Sequence, residues 1–212
     1  MALREALTLL CSLAVVCSSG NHESCELKPG LFDSLTGDLK VAAECSDDSS
    51  LQWSSEQAAE VLIHMRNLTE RLQKRQRKEC QEAEPKMCQQ PEAPSNGGLA
   101  CVTASNKRYC KPICDSGYDF SFLRRSRLFE ECGEQTNYRW SSLYVGGNRL
   151  AVCNKAALQI SGRPSAYFTK DCLTTKSSSE QWNTTMEVLL KELKDEGVTG
   201  NPTYHCLLCG RP

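Results

Sequence analysis

Histidine is scarce in this chain of 212 residues; only His22, His64 and His205 occur. No Gly-x-Ser-x-Gly elbow, His-Glu-x-x-His helix or phosphate-binding loop appears either. His64 has no second histidine or acidic cluster at metal-ligand spacing, so it reads as a packed or partly exposed helix residue. These absences argue against catalysis, and the chain is read as no enzyme, with neither cofactor nor metal. Long apolar runs are also missing. The longest, from Ala6 to Val16, is about a dozen residues against the roughly 20 that a membrane helix needs. No membrane span is expected. A net charge of −1 gives no reason to expect nucleic acid as a partner.

Cysteine, by contrast, is abundant, with 14 in the chain. Residues 1–20 read as a secretory signal peptide. Arg4 precedes the apolar run, and the small residues Ser18, Ser19 and Gly20 follow it. Its removal takes Cys11 and Cys17 and leaves 12 cysteines, an even and dense set. In a secreted chain such a set implies a disulfide framework. Charge is unevenly spread. Residues 21–60 carry nine acids against Lys28 and Lys40, whereas residues 61–86 carry seven bases against four acids.

The expected fold class is small and disulfide-rich: a mainly β module between an N-terminal helix and a C-terminal α/β extension. Residues 21–87 form the acidic, helix-containing N-terminal segment. Within it, Leu31, Phe32, Leu35, Leu39, Val41 and Ala42 suit one or two amphipathic turns. Cys25 and Cys45 bracket that stretch and could close a loop. Ser54 and Gln57 read as a capping box, and Ala58, Val61, Leu62, Met65, Leu68 and Leu72 recur at helical spacing. This predicts a helix over about 55–79. Strands are expected at 98–103, 108–113, 118–122, 128–131, 138–140 and 149–153, between turn residues. Further short strands are read at 158–160, 166–168 and 203–208, and a second helix at about 179–196. Residues 154–212 have too small a core to fold alone; the expectation is that they pack on the preceding module, stapled through Cys172, Cys206 and Cys209.

Cys88 is followed by Pro91, Pro94, Asn96 and Gly97, then by Cys114-Asp-Ser-Gly117-Tyr118, then by Cys132, Trp140 and Cys153. This order over 88–153 resembles a sushi (complement control protein) module. The resemblance implies pairing of the first cysteine with the third and the second with the fourth: Cys88 with Cys132 and Cys114 with Cys153, around a buried Trp140. Cys101 and Cys110 would add a local hairpin bond, as in six-cysteine variants of matrix proteins. The stretch from Cys132 to Cys153 is longer than usual for the family, and Val152 stands where a proline is common. The pairing among Cys25, Cys45, Cys80, Cys172, Cys206 and Cys209 stays open, with 15 connectivities. Cys206-Leu-Leu-Cys209 has exchange spacing, but it follows an extended Pro202 segment instead of opening a helix, which favours structural crosslinks over redox chemistry.

The resemblance implies protein recognition: a secreted glycoprotein binding an extracellular protein of complement, receptor or matrix type. Arg124, Arg125 and Arg127, joined by Lys107, Arg108 and Lys111 across the hairpin, are candidates for binding a sulfated glycosaminoglycan. Asn67-Leu-Thr69 and Asn183-Thr-Thr185 are glycosylation acceptors on the expected helices. The alternative is a secreted signalling ligand or propeptide processed at Lys74-Arg75 or Arg77-Lys78, with Cys80 as a possible tether between the pieces.

Overall fold

A computed structural model describes residues 29–45, 53–142 and 145–211. The expected signal peptide and Cys25 lie outside the described residues. The chain separates into two contact units, one ending at Glu60 and one starting at Val61. In the first, the stretch expected as one or two turns is a single helix, α1 (Leu31–Glu44), with no buried residue. Cys45 closes its last turn through a backbone bond to the Val41 carbonyl at 2.9 Å and keeps a free thiol. The other half of the Cys25–Cys45 loop that the sequence allows lies outside the described residues.

Helix α2 (Ser55–Glu79) has the expected bounds because its signals are local. The Ser54 N–H donates to Gln57 Oε1 at 2.9 Å, and the Gln57 N–H donates to Ser54 Oγ at 3.2 Å. Two of the four orphan donors at the helix start are thereby satisfied. Arg77 and Lys78 occupy the last turn, where positive charge complements the helix dipole. The helix end is tied to the folded unit by Cys80–Cys206, by Lys176 Nζ on Glu79 at 2.7 Å and by Gln90 Nε2 on the Arg77 carbonyl.

The remaining elements are β1 (Gly97–Ala104), β2 (Lys107–Cys114), β3 (Tyr118–Phe120), β4 (Glu130–Cys132), β5 (Cys153–Lys155), α3 (Cys172–Ser177), α4 (Ser179–Asp195) and β6 (Tyr204–Cys209). β1 and β2 form a hairpin whose two-residue turn, Ser105-Asn106, has φ of 49° and 57°. Both central residues left-handed is the turn that matches strand twist. β4, β2, β1 and β6 make one antiparallel sheet in that order, and β3 pairs with β5. The fold is thus small and disulfide-rich, with mixed helix and antiparallel sheet. The C-terminal residues are more than an extension packed on a module, since β6 lies beside β1 in the same sheet. No fold boundary falls between 153 and 154.

Both faces of the sheet are covered. Ala100, Val102, Ile113 and Leu207 pack with Met186, Leu189 and Leu193 of α4. Leu99, Leu150, Leu208 and Trp140 pack on the other face, among the cysteines. Strand alternation places Cys206 and Cys209, three residues apart, on opposite faces of β6. Cys206 accordingly bonds Cys80, and Cys209 bonds Cys172. A Cβ at Gly98 would sit 2.5 Å from Cys172 Sγ, which is why β1 begins with a glycine there.

Several short strands expected from the sequence are absent. Glu134–Thr136 is a 3-10 turn, and Asn137 and Tyr138 follow with φ of 51° and 55°, which breaks the extended reading of 138–140. Residues 158–160 form a loop, and Pro164–Ala166 form another 3-10 turn. Near 149–153, Arg149 makes a single bridge to Glu92, and the strand begins only at Cys153. Helix α3 has no counterpart in the sequence reading; Asp171 starts it by accepting from the Thr174 N–H at 2.8 Å.

Candidate interaction surface

Five disulfides connect residues between 80 and 209. Cys88–Cys132, Cys114–Cys153 and Cys101–Cys110 are the pairs that the sushi resemblance implied. Cys101 and Cys110 face each other directly in the hairpin register. Trp140 is buried beside the first of these bonds, donating its indole N–H to the Gln89 carbonyl at 2.9 Å. The Arg108 guanidinium lies 5.7 Å over the Trp140 ring.

The basic residues singled out as a polyanion site do not form one. Arg124 is 5% exposed and donates to Glu130 Oε1 at 3.0 Å and to the Leu150 carbonyl. Arg127 clasps the same fully buried carboxylate from its other side, at 2.7 Å, and Ser141 Oγ completes the cage at 3.0 Å. Lys111, 1% exposed, pairs with Glu192 at 2.5 Å and with Ser165 Oγ at 3.0 Å. Burial pushes the Lys111 ammonium below its ordinary pKa, against the opposing pull of Glu192. Arg108 donates to the carbonyls of Cys80 and Cys88, and Lys107 pairs with Glu131 at 3.5 Å. The reason is positional: Arg108 and Lys111 sit on β2, a strand covered on both faces, so internal acceptors take up their charge. Of the six, Arg125 alone is exposed.

Another surface is built around Asp119 on β3, which the sequence reading passed over. Its carboxylate accepts from the N–H groups of Phe120 at 2.8 Å, Ile160 at 3.0 Å and Ser161 at 3.1 Å. It also accepts from the Ser161 hydroxyl at 2.8 Å and from the Tyr167 phenol. Burial opposes ionisation of this group, but the donors outweigh it, led by Tyr167, and hold the carboxyl below its ordinary pKa. In return, burial and the Asp119 bond push the Tyr167 phenol up to about 12. Gln159 Nε2 donates to the carbonyls of Asp115 and Tyr118, and the Arg124 N–H donates to the Ser161 carbonyl at 2.6 Å. The loop at 158–161 is thereby fastened to the segment 119–124.

On these fastened loops stand Phe122, Leu123, Leu158 and Ile160, at 47%, 67%, 72% and 62% exposure. Arg163 donates to the Arg125 carbonyl at 2.8 Å beside them, and both arginine side chains are exposed. No family model, curated protein or solved structure matches this chain. The surface must therefore be read from its own chemistry. Single exposed apolar residues are ordinary, but four large ones on adjoining, hydrogen-bonded loops make a candidate interaction surface.

Asn67 on α2 and Asn183 on α4 are both exposed, so each acceptor side chain faces solvent. Trp182, next to Asn183, turns inward and packs 5.0 Å from the His205 ring. Among the described residues, no group of three or more His, Cys, Asp or Glu side chains is arranged to hold a metal, and no helix is long and apolar enough to cross a membrane.

Proposed function

We propose that this chain is a secreted interaction protein, not an enzyme, and that it binds another extracellular protein through the Phe122, Leu123, Leu158 and Ile160 surface. The observation that carries the reading is the combination of exposure and fixation: these side chains are open to water while Asp119 pins the loops beneath them. A pre-ordered apolar surface loses little conformational entropy on binding, so more of its burial appears as affinity. Five disulfides support an extracellular setting. The sushi-like reading of 88–153 rests on its cysteine order, Gly117-Tyr118 and Trp140, together with the crossed pairing of Cys88–Cys132 and Cys114–Cys153. The binding surface then lies near the second of these bonds, since β3 pairs with the strand that begins at Cys153.

The test is capture from serum and matrix extracts on immobilised full-length protein, against a Leu123→Asp/Ile160→Asp variant. A partner retained by the wild type and lost with the variant is expected. Equal capture by both proteins would sink the assignment of this surface.

The processing alternative retains one favourable observation. Cys80 is bonded to Cys206, on the downstream side of Lys74–Lys78, and none of the five bonds reaches a residue before 80. Cys80 is thus no tether, and a cut at the exposed Arg75 or Lys78 would leave the crosslinked unit whole. Amino-terminal sequencing of the secreted protein decides it; a start at Gln76 or Glu79 is the processed form.

A further inference from the structure

Helix α2 carries an apolar face that the crosslinked unit does not use. Val61, Met65, Leu68 and Leu72 follow one another at spacings of four, three and four residues, the seam of a heptad pattern. Ala58 continues it one turn earlier. Leu62, Met65, Leu68 and Leu72 are 65%, 44%, 38% and 55% exposed, and no residue of the helix is buried. Asn67, the glycosylation acceptor, falls outside the seam positions, so a glycan there leaves the stripe open.

The charges along the helix select an occupant. Glu56 and Glu60 stand near its start, while Arg71, Lys74, Arg75, Arg77 and Lys78 outnumber Glu70 and Glu79 over residues 70–79. A parallel partner of the same kind would set two groups of five cations side by side. An antiparallel partner sets the acids of each copy beside the cations of the other, and it also opposes the two helix dipoles. We propose that α2 is a dimerisation element that pairs antiparallel with α2 of a second copy. In the register that keeps the seam continuous, Met65 packs on Leu68 of the second copy and Val61 on its Leu72. The dimer would present two binding surfaces on one particle, converting a modest single-site affinity into a higher avidity. This inference stands independently of which partner, if any, binds the Phe122 surface.

Light scattering after size exclusion of the full-length secreted protein at micromolar concentration tests it. Twice the chain mass is expected for the wild type and for the Leu123→Asp/Ile160→Asp variant. Leu68→Glu is expected to shift the protein to a single-chain mass and weaken self-association at least tenfold. Ile63→Glu changes an exposed residue off the seam and is expected to leave the dimer intact. Unaltered non-reducing mobility of each variant shows that the crosslinked unit has folded. Orientation is read by mixing Met65→Cys chains with tagged Leu68→Cys chains under mild oxidation, in a Cys25→Ser/Cys45→Ser background. Antiparallel pairing predicts mixed crosslinked dimers. A single-chain mass for the wild type, as would follow if α1 or another protein covers the stripe, overturns the proposal. So does a dimer that persists in Leu68→Glu, or Met65→Cys chains crosslinking chiefly to themselves.

Discussion

Replacing Asp119 by Asn removes one carboxylate oxygen and the charge while keeping the shape. The carboxylate serves five donors: three backbone N–H groups, the Ser161 hydroxyl and the Tyr167 phenol. An amide NH2 in place of one oxygen turns a donor toward at least one of those N–H groups, whichever way the side chain is flipped. A hydrogen bond to a charged acceptor contributes about 1.5–3 kcal/mol, and an orphaned buried donor costs about 1–3 kcal/mol. With partial relaxation, Asp119→Asn is expected to destabilise the unit by about 3 kcal/mol, or roughly 10 °C in Tm for a unit of this size. Thermal and guanidinium unfolding under non-reducing conditions measure the loss. Hydrogen exchange at Ile160 and Ser161 reports the loop itself, and both amides are expected to lose protection. The acid limb gives a second check. A carboxyl whose folded pKa lies below its unfolded value contributes fully above about pH 4 and stops contributing as pH falls through the folded value. The wild-type advantage over Asp119→Asn should therefore shrink on acidification. Asp171, also held low, titrates in both proteins and cancels in the difference. A destabilisation below about 1 kcal/mol with unchanged exchange at Ile160 and Ser161 would refute the role given to this carboxylate.

Glu192→Ala leaves the Lys111 ammonium buried with only Ser165 for a partner, and it is expected to destabilise by about 3–5 kcal/mol. The double change Lys111→Met/Glu192→Leu should recover most of that loss in the same unfolding assay. Arg124→Ala removes one of the two guanidinium partners of the fully buried Glu130 and leaves Arg127 and Ser141 on it, so it is expected to lower Tm by several degrees, whereas Arg125→Ala leaves Tm within about 1–2 °C. Salt elution from heparin should move little for Arg125→Ala, since the other five candidate bases are taken up by internal acceptors; a large shift would restore the polyanion reading. Raising pH from 10 to 12 ionises the Tyr167 phenol in the unfolded chain first, removing about 1 kcal/mol across that interval once solvent screening of this partly exposed group is allowed for. Tyr167→Phe should flatten this alkaline limb in chemical denaturation.

What was legible in the sequence was local. The capping box at Ser54 and Gln57 and the apolar spacing behind it place α2, because a helix start is decided within four residues. The cysteine order with Trp140 carried the crossed pairing by resemblance to a module, but left Cys80–Cys206 and Cys172–Cys209 open. Those two bonds depend on β6 joining β1, a contact spanning about a hundred residues that no local pattern encodes. The basic candidates failed for a related reason. Whether an arginine meets solvent or a buried Glu130 is set by the far side of the fold, and Arg124-Arg125-Ser126-Arg127 reads as a surface run whichever outcome holds. The pattern places Phe122 at the end of one short strand and Leu158 and Ile160 in another, since apolar residues in short runs default to the interior. They stand outside because Asp119 captures a loop some 40 residues away. A signal existed: an acid between Tyr118 and Phe120 in an apolar strand needs internal donors, and that need points to a pinned loop.

The disulfide map also separates the two proposed binding elements energetically. Every bond in the frame joins residues between 80 and 209, so the frame that fixes the Asp119 loops ends just where the exposed seam of α2 begins to leave it. Crosslinks stabilise chiefly by restricting the unfolded chain between their ends, and residues 61–72 fall outside every loop they close. Changes on the α2 seam should therefore leave unfolding of the crosslinked unit nearly unaltered, and Asp119→Asn should leave the dimer mass unaltered. Changes at independent sites add. A Leu68→Glu/Asp119→Asn double variant whose stability loss exceeds that of Asp119→Asn alone by more than about 0.5 kcal/mol would show the helix and the frame to be one cooperative structure.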